Sequence, residues 1–317
     1  MCGFYGLFTD KPLTRDELTD QRKYSKLIKY RGPDFSGEYI SNKKDFYSWH
    51  HRLSIIDLKD NSNQPFQYKN YTILFNGEIY NYKKIKKKLG KKFKFKTNGD
   101  TEVLLYSWIM WGKNFYQHVD GMYSFVIYDN KNLYFISDNF SEKPLYYLKI
   151  KNKVFFSSEQ SILVKQFKLK KNIDSDKINS FMSLGFLPYV FPIYEGLNYM
   201  KSSSIITFDK NFKKHEINYW NKYKNNKTKI KSFNNNNKKK LKNLLIESIE
   251  SRLTSDVPIA HFMSSGFDSV LIAAICKKEL NYNLNTYTVR TSENNDEITH
   301  VKKICKYLSL PNKIINF

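Results

Sequence analysis

A cysteine at position 2, directly after Met1 and followed by the small Gly3, is the first residue of this chain able to do covalent chemistry. Once Met1 is removed, one residue carries both a thiol and a free α-amino group. That amine titrates near ~7.7–8.0, so it can act as the general base for its own side chain, and no histidine is needed. Taken singly, a cysteine at position two is more often chance than chemistry. A second candidate is the stretch Ser264-Ser265-Gly266-Phe267-Asp268-Ser269, a short polar run between an apolar strand and a helical pattern. Strand, tight polar turn and helix N-terminus together present backbone N–H groups and hydroxyls to phosphates.

These residues need a frame. Residues 1 to about 220 read mostly as strands and hairpins with a few helices. Tyr71–Phe75 is an apolar strand running into Asn76-Gly77, and Asp129–Asn132 and Lys151–Lys153 are hairpin signals between apolar runs. Helical patterns cover Arg15–Ile28, Tyr82–Leu89 and Thr101–Trp111. Two antiparallel sheets with helices outside them satisfy this pattern. Residues 221–240 are nearly all Lys, Asn and Ser and read as a linker, too polar to order themselves. Beyond it, helices at Lys239–Leu253, Val270–Leu280 and Glu297–Leu308 alternate with strands at Pro258–Met263 and Thr286–Val289. That alternation predicts a parallel, doubly wound sheet. With two strands placed by Phe317, too few for a stable parallel sheet, the chain is expected to be cut short.

Composition removes several classes. A hydrophobic content of 41% and 16% aromatics over 317 residues exclude a disordered chain and suggest about two domains. No apolar run approaches a membrane span of about 20 residues, and the N-terminus has no secretory pattern. Three scattered cysteines (Cys2, Cys276, Cys305) form neither a disulfide framework nor a zinc site. A cytosolic protein is expected. The net charge of +23 invites a nucleic-acid reading, yet only six of the 53 basic residues are Arg and the lysines are spread everywhere. Phosphate readers favour Arg and cluster their charge, so no nucleic-acid partner is expected. The composition is that of an A/T-rich coding sequence, which makes the places that keep Gly and Arg informative.

Those places line up. "MCGFYGLF", "RGPD" at 31–34, "HHRLSIID" at 50–57, "QP" at 64–65, "NGEIYN" at 76–81, "GDTEVL" at 99–104 and "DGMYSFVIYD" at 120–129 occur in this order, followed by "EKPLYY" at 142–147 and "FSSE" at 156–159. Together they resemble the glutaminase domain of the asparagine synthetase family, a class II glutamine amidotransferase. The resemblance implies an α+β N-terminal-nucleophile hydrolase, an αββα sandwich, over residues 2–220. Over 241–317 it implies the start of an α/β ATP-dependent ligase domain with a pyrophosphate loop. It also implies roles. Cys2 attacks the glutamine amide, and the Asn76 side chain and Gly77 N–H form the oxyanion hole. Arg52 pairs with the substrate α-carboxylate, and Glu78 and Asp100 hold its α-ammonium. His50 and His51 are left as neighbours of Arg52.

The second stretch resembles the loop usually written Ser-Gly-Gly-x-Asp-Ser. By that resemblance Ser264, Gly266, Asp268 and Ser269 meet the phosphates of ATP, Asp268 is the Mg²⁺ ligand, and Met263 and Val289 line the adenine pocket. Ser265, counted with the ATP-binding residues, stands where the family has Gly; a side chain there could crowd the phosphates or demand a backbone angle Ser dislikes, while its hydroxyl could donate to a phosphate. The family's "RDxxGxKPLY" reads Ser137 to Tyr146 here, without its Arg and Gly. The resemblance implies glutamine, ATP and aspartate as substrates, asparagine formed through β-aspartyl-AMP, and a homodimer. Three other readings stand beside it. The acceptor could be another carboxylate, such as a uronic acid in a surface polysaccharide, or the chain could be a glutaminase alone. A non-enzymatic Lys-rich nucleic-acid binder would instead show steep salt dependence and no glutaminase activity.

Overall fold

The computed structural model describes residues 1–171, 173–186, 192–220, 234–291 and 295–316. The chain divides into two compact units, Met1–Asn226 and Lys227–Phe317. The first runs β1 (Gly3–Thr9), α1 (Arg15–Ser25), β2 (Phe35–Ile40), β3 (Phe46–Arg52), β4 (Phe66–Tyr68), β5 (Tyr71–Ile79), α2 (Tyr82–Leu89) and α3 (Asp100–Trp111). It continues with β6 (Gly121–Tyr128), β7 (Leu133–Ser137), β8 (Tyr146–Ile150), β9 (Lys153–Ser157), α4 (Gln160–Phe167), α5 (Ser175–Leu184), β10 (Leu197–Tyr199), β11 (Ser204–Phe208) and β12 (Lys214–Asn218). The second holds α6 (Asn235–Arg252), β13 (Ala260–Phe262), α7 (Phe267–Lys278), β14 (Asn285–Arg290), α8 (Asn295–Leu308) and β15 (Asn312–Asn316).

Two six-stranded sheets, ordered β10-β8-β9-β1-β3-β2 and β12-β11-β7-β6-β5-β4, form the first unit. All their pairings are antiparallel. Strand alternation explains the stacking. In β1, Phe4 and Phe8 enter one core cluster with Phe46, Leu74, Val126, Phe135, Phe156 and Phe208, drawn from both sheets. Tyr5 and Leu7, on the opposite face, join Ile162 and Leu163 of α4. In β5, Leu74 faces the other sheet while Ile73 and Phe75 pack under α2 and α3 with Ile85, Leu89, Val103 and Leu104. Successive side chains point to opposite faces, so strands rich in apolar residues at every position sit with both faces covered. The result is the expected αββα sandwich.

Local chemistry sets several boundaries differently from the sequence pattern. The first helix ends at Ser25, and Lys26–Arg31 continue as a tighter 3₁₀ turn. Its start is fixed by a capping box, Thr14 Oγ1 accepting from Glu17 N and Glu17 Oε2 from Thr14 N. Asn76-Gly77 is no turn: β5 runs on to Ile79, with Asn76 and Gly77 opposite Ser124 and Tyr123.

The linker over 221–240 needs a correction at its end. Residues 221–233 lie outside the described ones, but 235–240 are already helical. Asn234 caps that helix by accepting from Asn237 N at 2.9 Å, and a capping Asn starts a helix even in polar sequence. The parallel sheet also has a third strand: β15 pairs with β14 over Thr286↔Asn312 to Arg290↔Asn316. It carries only Ile314 and Ile315 as apolar residues, which hid it from a periodicity reading. No helix among the described residues is long and apolar enough to cross a membrane.

Candidate active site

One cavity of the first unit, about 140 Å³, is lined by Cys2, Arg52, Asn76, Gly77, Glu78 and Asp100 together. The topology makes this possible. Cys2 precedes β1, Arg52 ends the neighbouring β3, and Asn76–Glu78 lie near the end of β5 in the other sheet. Asp100 opens α3, whose start is held by the buried Glu102, which accepts from Lys96 N, Thr97 N and Thr97 Oγ1. Asp100 Oδ2 in turn accepts from Ile79 N at 3.0 Å, tying helix to strand.

Cys2 is held by Leu53. Cys2 Sγ donates to Leu53 O at 3.6 Å and accepts from Leu53 N at 3.4 Å. Burial pushes the thiol's pKa up, with Leu53 pulling it back, so the resting group is a thiol that needs a base. The free amine sits on Met1, where burial lowers its pKa below the usual amine value. With Met1 attached, the Cys2 nitrogen is an amide and cannot accept the proton.

Among the described residues the buried Asn76 Nδ2 has no hydrogen-bond partner. A buried donor without a partner costs about 1–3 kcal/mol, and Asn76 lines the cavity that holds Cys2. Gly77 beside it has φ +152°, and a Cβ there would lie 2.1 Å from Met122 O. Only glycine fits that approach of β5 to β6. Gln64 Oε1 accepts from Phe75 N at 2.7 Å and steadies the strand just before Asn76.

Arg52 is buried, and its η nitrogens are already engaged. They donate to Lys59 O at 3.1 Å, Asn63 Oδ1 at 2.9 Å, Ile56 O at 3.0 Å and Asp57 O. In this state Arg52 organises the loop after β3 while setting its charge in the cavity wall. Burial raises both acidic groups: Asp100 to about 7, with Glu78 adding to the effect, and Glu78 less, because Lys143 and the N-terminal amine oppose the rise. Two carboxylates raised by a cavity are stabilised by an incoming cation.

The histidines are structural. His51 bonds Ser36 Oγ at 2.7 Å and Ser25 O at 3.0 Å. Fully buried His50 has its pKa lowered to about 3, chiefly by burial, and donates from Nε2 to Phe75 O at 3.1 Å. Two residues of the cavity region escaped the sequence reading as site residues. Arg31 Nε donates to Cys2 O at 3.1 Å while its Nη1 meets Glu159 at 3.0 Å. Lys143 lines the cavity itself. Both lay inside motifs already quoted, "RGPD" and "EKPLYY", and Arg31 was one of only six arginines.

In the second unit a separate cavity, about 400 Å³, is lined by Met263, Ser264, Thr288, Val289 and Glu297 among others, bringing both adenine-pocket candidates together. Helix α7 begins at Phe267, so Asp268 and Ser269 belong to its first turn rather than to the preceding loop. Ser264 and Ser269 hydroxyls meet at 2.8 Å, and Gly266 N donates to Ser264 Oγ at 3.3 Å. Gly266 caps α7 without a side chain, which leaves the helix N-terminus open to an anion. Ser265 is exposed and is not among the residues with positive φ, so the expected backbone conflict does not arise. Its N–H donates to Glu297 Oε1 at 3.3 Å.

The family model for a glutamine amidotransferase domain matches residues 1–220, and that for asparagine synthase matches residues 240–317. The chain belongs to the glutamine-hydrolysing asparagine synthetase family. It is 33% identical over 91% of its length to asparagine synthetase [glutamine-hydrolyzing] 1 of Bacillus subtilis, covering 46% of that protein. It is 31% identical over 97% of its length to a putative asparagine synthetase [glutamine-hydrolyzing] 2 of Methanocaldococcus jannaschii, covering 63% of that protein. The chain thus spans about half to two thirds of these synthetase relatives. Among solved structures, the glutamine phosphoribosylpyrophosphate amidotransferase from B. subtilis matches 99% of this chain and 65% of its own. The TM-score is 0.50 and the identity 12%, a likeness of fold alone.

Proposed function

We propose that residues 1–220 hydrolyse glutamine and deliver its amide nitrogen as ammonia, with Cys2 as nucleophile. The observation that carries the reading is the buried, unpartnered Asn76 Nδ2 in the cavity that holds Cys2. Cys2 Sγ adds to the amide carbon while its own α-amine takes the thiol proton. The carbonyl oxygen becomes an oxyanion, which Asn76 Nδ2 and Gly77 N–H stabilise. Collapse expels ammonia, protonated by the same amine, and leaves a thioester that water hydrolyses to glutamate. Arg52, its η N–H groups held by its own loop, attracts the substrate carboxylate through its charge in the cavity wall, and Glu78 and Asp100 attract the ammonium.

The second unit is assigned to ATP. The open N-terminus of α7, the Ser264–Ser269 pair and the cavity at Met263 and Val289 fit a nucleotide. Asp268, exposed in the first turn of α7, is the carboxylate proposed to share a Mg²⁺ with phosphate oxygens. ATP supplies an AMP group that activates a carboxylate for attack by ammonia, and aspartate is the acceptor the family relation favours. The test measures glutamate and aspartate-dependent pyrophosphate side by side, with Cys2→Ala as blank. Glutamate formation that survives Cys2→Ala would end this reading.

A further inference from the structure

Lys143 is 7% exposed and lies in the wall of the Cys2 cavity. Its Nζ donates to the thioether of Met1 at 3.1 Å, a weak acceptor for an ammonium. Among the described residues it makes no ion pair within 4.0 Å. A buried charge in this state is costly unless a counter-charge is provided for it. Removal of Met1, which the proposed chemistry requires, also removes this acceptor. The carboxylate across the same cavity is Glu78.

Resting on the glutaminase reading, we propose that Lys143 is a positioning residue of the glutamine site: the second cation of a pocket built on two carboxylates, Glu78 and Asp100. With the substrate bound and the Cys2 amine neutral, Arg52 and Lys143 balance Glu78 and Asp100, and zwitterionic glutamine adds no net charge. Without Lys143 the pocket carries one uncompensated negative charge, which a carboxyl relieves by taking up a proton. The protonated carboxyl no longer attracts the substrate ammonium.

The loop is built to hold this lysine. Asp138 accepts from Tyr123 N at 3.0 Å, Phe140 N at 2.8 Å and Glu142 N at 3.0 Å, pinning the turn. Other charges facing Lys143 are Glu142 and Asp138 on its own loop, and Arg31 from the turn after α1. Asp100 also faces Arg52.

The test uses the full chain with Met1 removed and ¹³C-carboxyl NMR titration of Glu78 and Asp100. Lys143→Met should raise the titration of the pair by about one pH unit, and Lys143→Arg should leave it in place. KM for glutamine at pH 7 should rise on the order of tenfold in Lys143→Met, with kcat changed less. Glu78→Gln reads the same pairing from the other side and leaves Lys143 intact. There the Lys143 ammonium should titrate lower by about one unit. Carboxyls unmoved in Lys143→Met, or an unmoved ammonium in Glu78→Gln, overturn the proposal. Wild-type glutamine hydrolysis is assayed in the same samples. Its absence removes the glutaminase reading and leaves the titrations to decide on Lys143.

Discussion

In the proposed glutamine hydrolysis Cys2, Asn76 and Asp100 have separable duties, and each duty has its own measurement. Asn76 contributes where charge develops, so Asn76→Ala should lower kcat on the order of 10²–10³-fold with little change in KM. A matching loss in KM instead would make Asn76 a ground-state contact. Asp100 is held near about 7 by burial first and Glu78 second. An ammonium binds the ionised carboxylate, so below that value a proton must leave before glutamine binds. kcat/KM for glutamine should therefore fall steeply on the acid side, through protonation of the coupled carboxyl pair and of the Cys2 amine. Asp100→Asn should make that limb shallower, the Cys2 amine setting what remains, and a profile unchanged by the substitution would refute the assignment. Cys2 has no base until its own amine is free. Mass spectrometry of active protein should show Met1 removed, and active protein retaining Met1 would exclude the amine as base.

Between β7 and β8, the loop over 138–145 keeps a shape whose usual residue is missing. Ser141 occupies the family's glycine position and still adopts φ +57°. A side chain in this left-handed region costs roughly 1–2 kcal/mol. Part is offset by hydrogen bonds, Ser141 Oγ donating to Met200 O at 2.9 Å and to Tyr199 Oη at 3.2 Å. Ser141→Ala loses those bonds and keeps the strain, while Ser141→Gly loses both. Thermal unfolding should place the Gly variant above the Ala variant by about 1 kcal/mol. Equal stabilities would mean that the loop relaxes around the substitution.

Two stacked sheets distribute the site over distant segments, so its geometry depends on their common core. Phe46 is fully buried between them, stacked on Tyr128 at 4.4 Å and near Phe156 at 6.2 Å. Phe46→Ala should destabilise the first unit by about 3–5 kcal/mol, enough to remove glutaminase activity well below the wild-type melting temperature. Denaturation followed by activity and by near-ultraviolet circular dichroism should show both signals lost together. Activity persisting after the aromatic signal has gone would show that the site does not depend on this core.

The sequence by itself determined the fold class and singled out residues that folding gathers around Cys2. Those rest on residue type and local pattern: a cysteine at position 2, hairpin signals between apolar runs, and glycines and arginines retained against a strong bias. What the tertiary structure decided depends on neighbours distant in the chain. Gly77 is required by the approach of Met122 O, not by a turn. Asp100 is raised by burial and by Glu78 on another element. The fork of Arg52 is engaged by its own loop. Ser265 keeps its backbone out of the left-handed region, which residue type alone did not show. Lys143 reads as one lysine among 47 until folding buries it in the wall of the cavity that holds Cys2. A one-dimensional pattern records which groups are present; only packing removes them from water, and the removal of water gives each charge its strength.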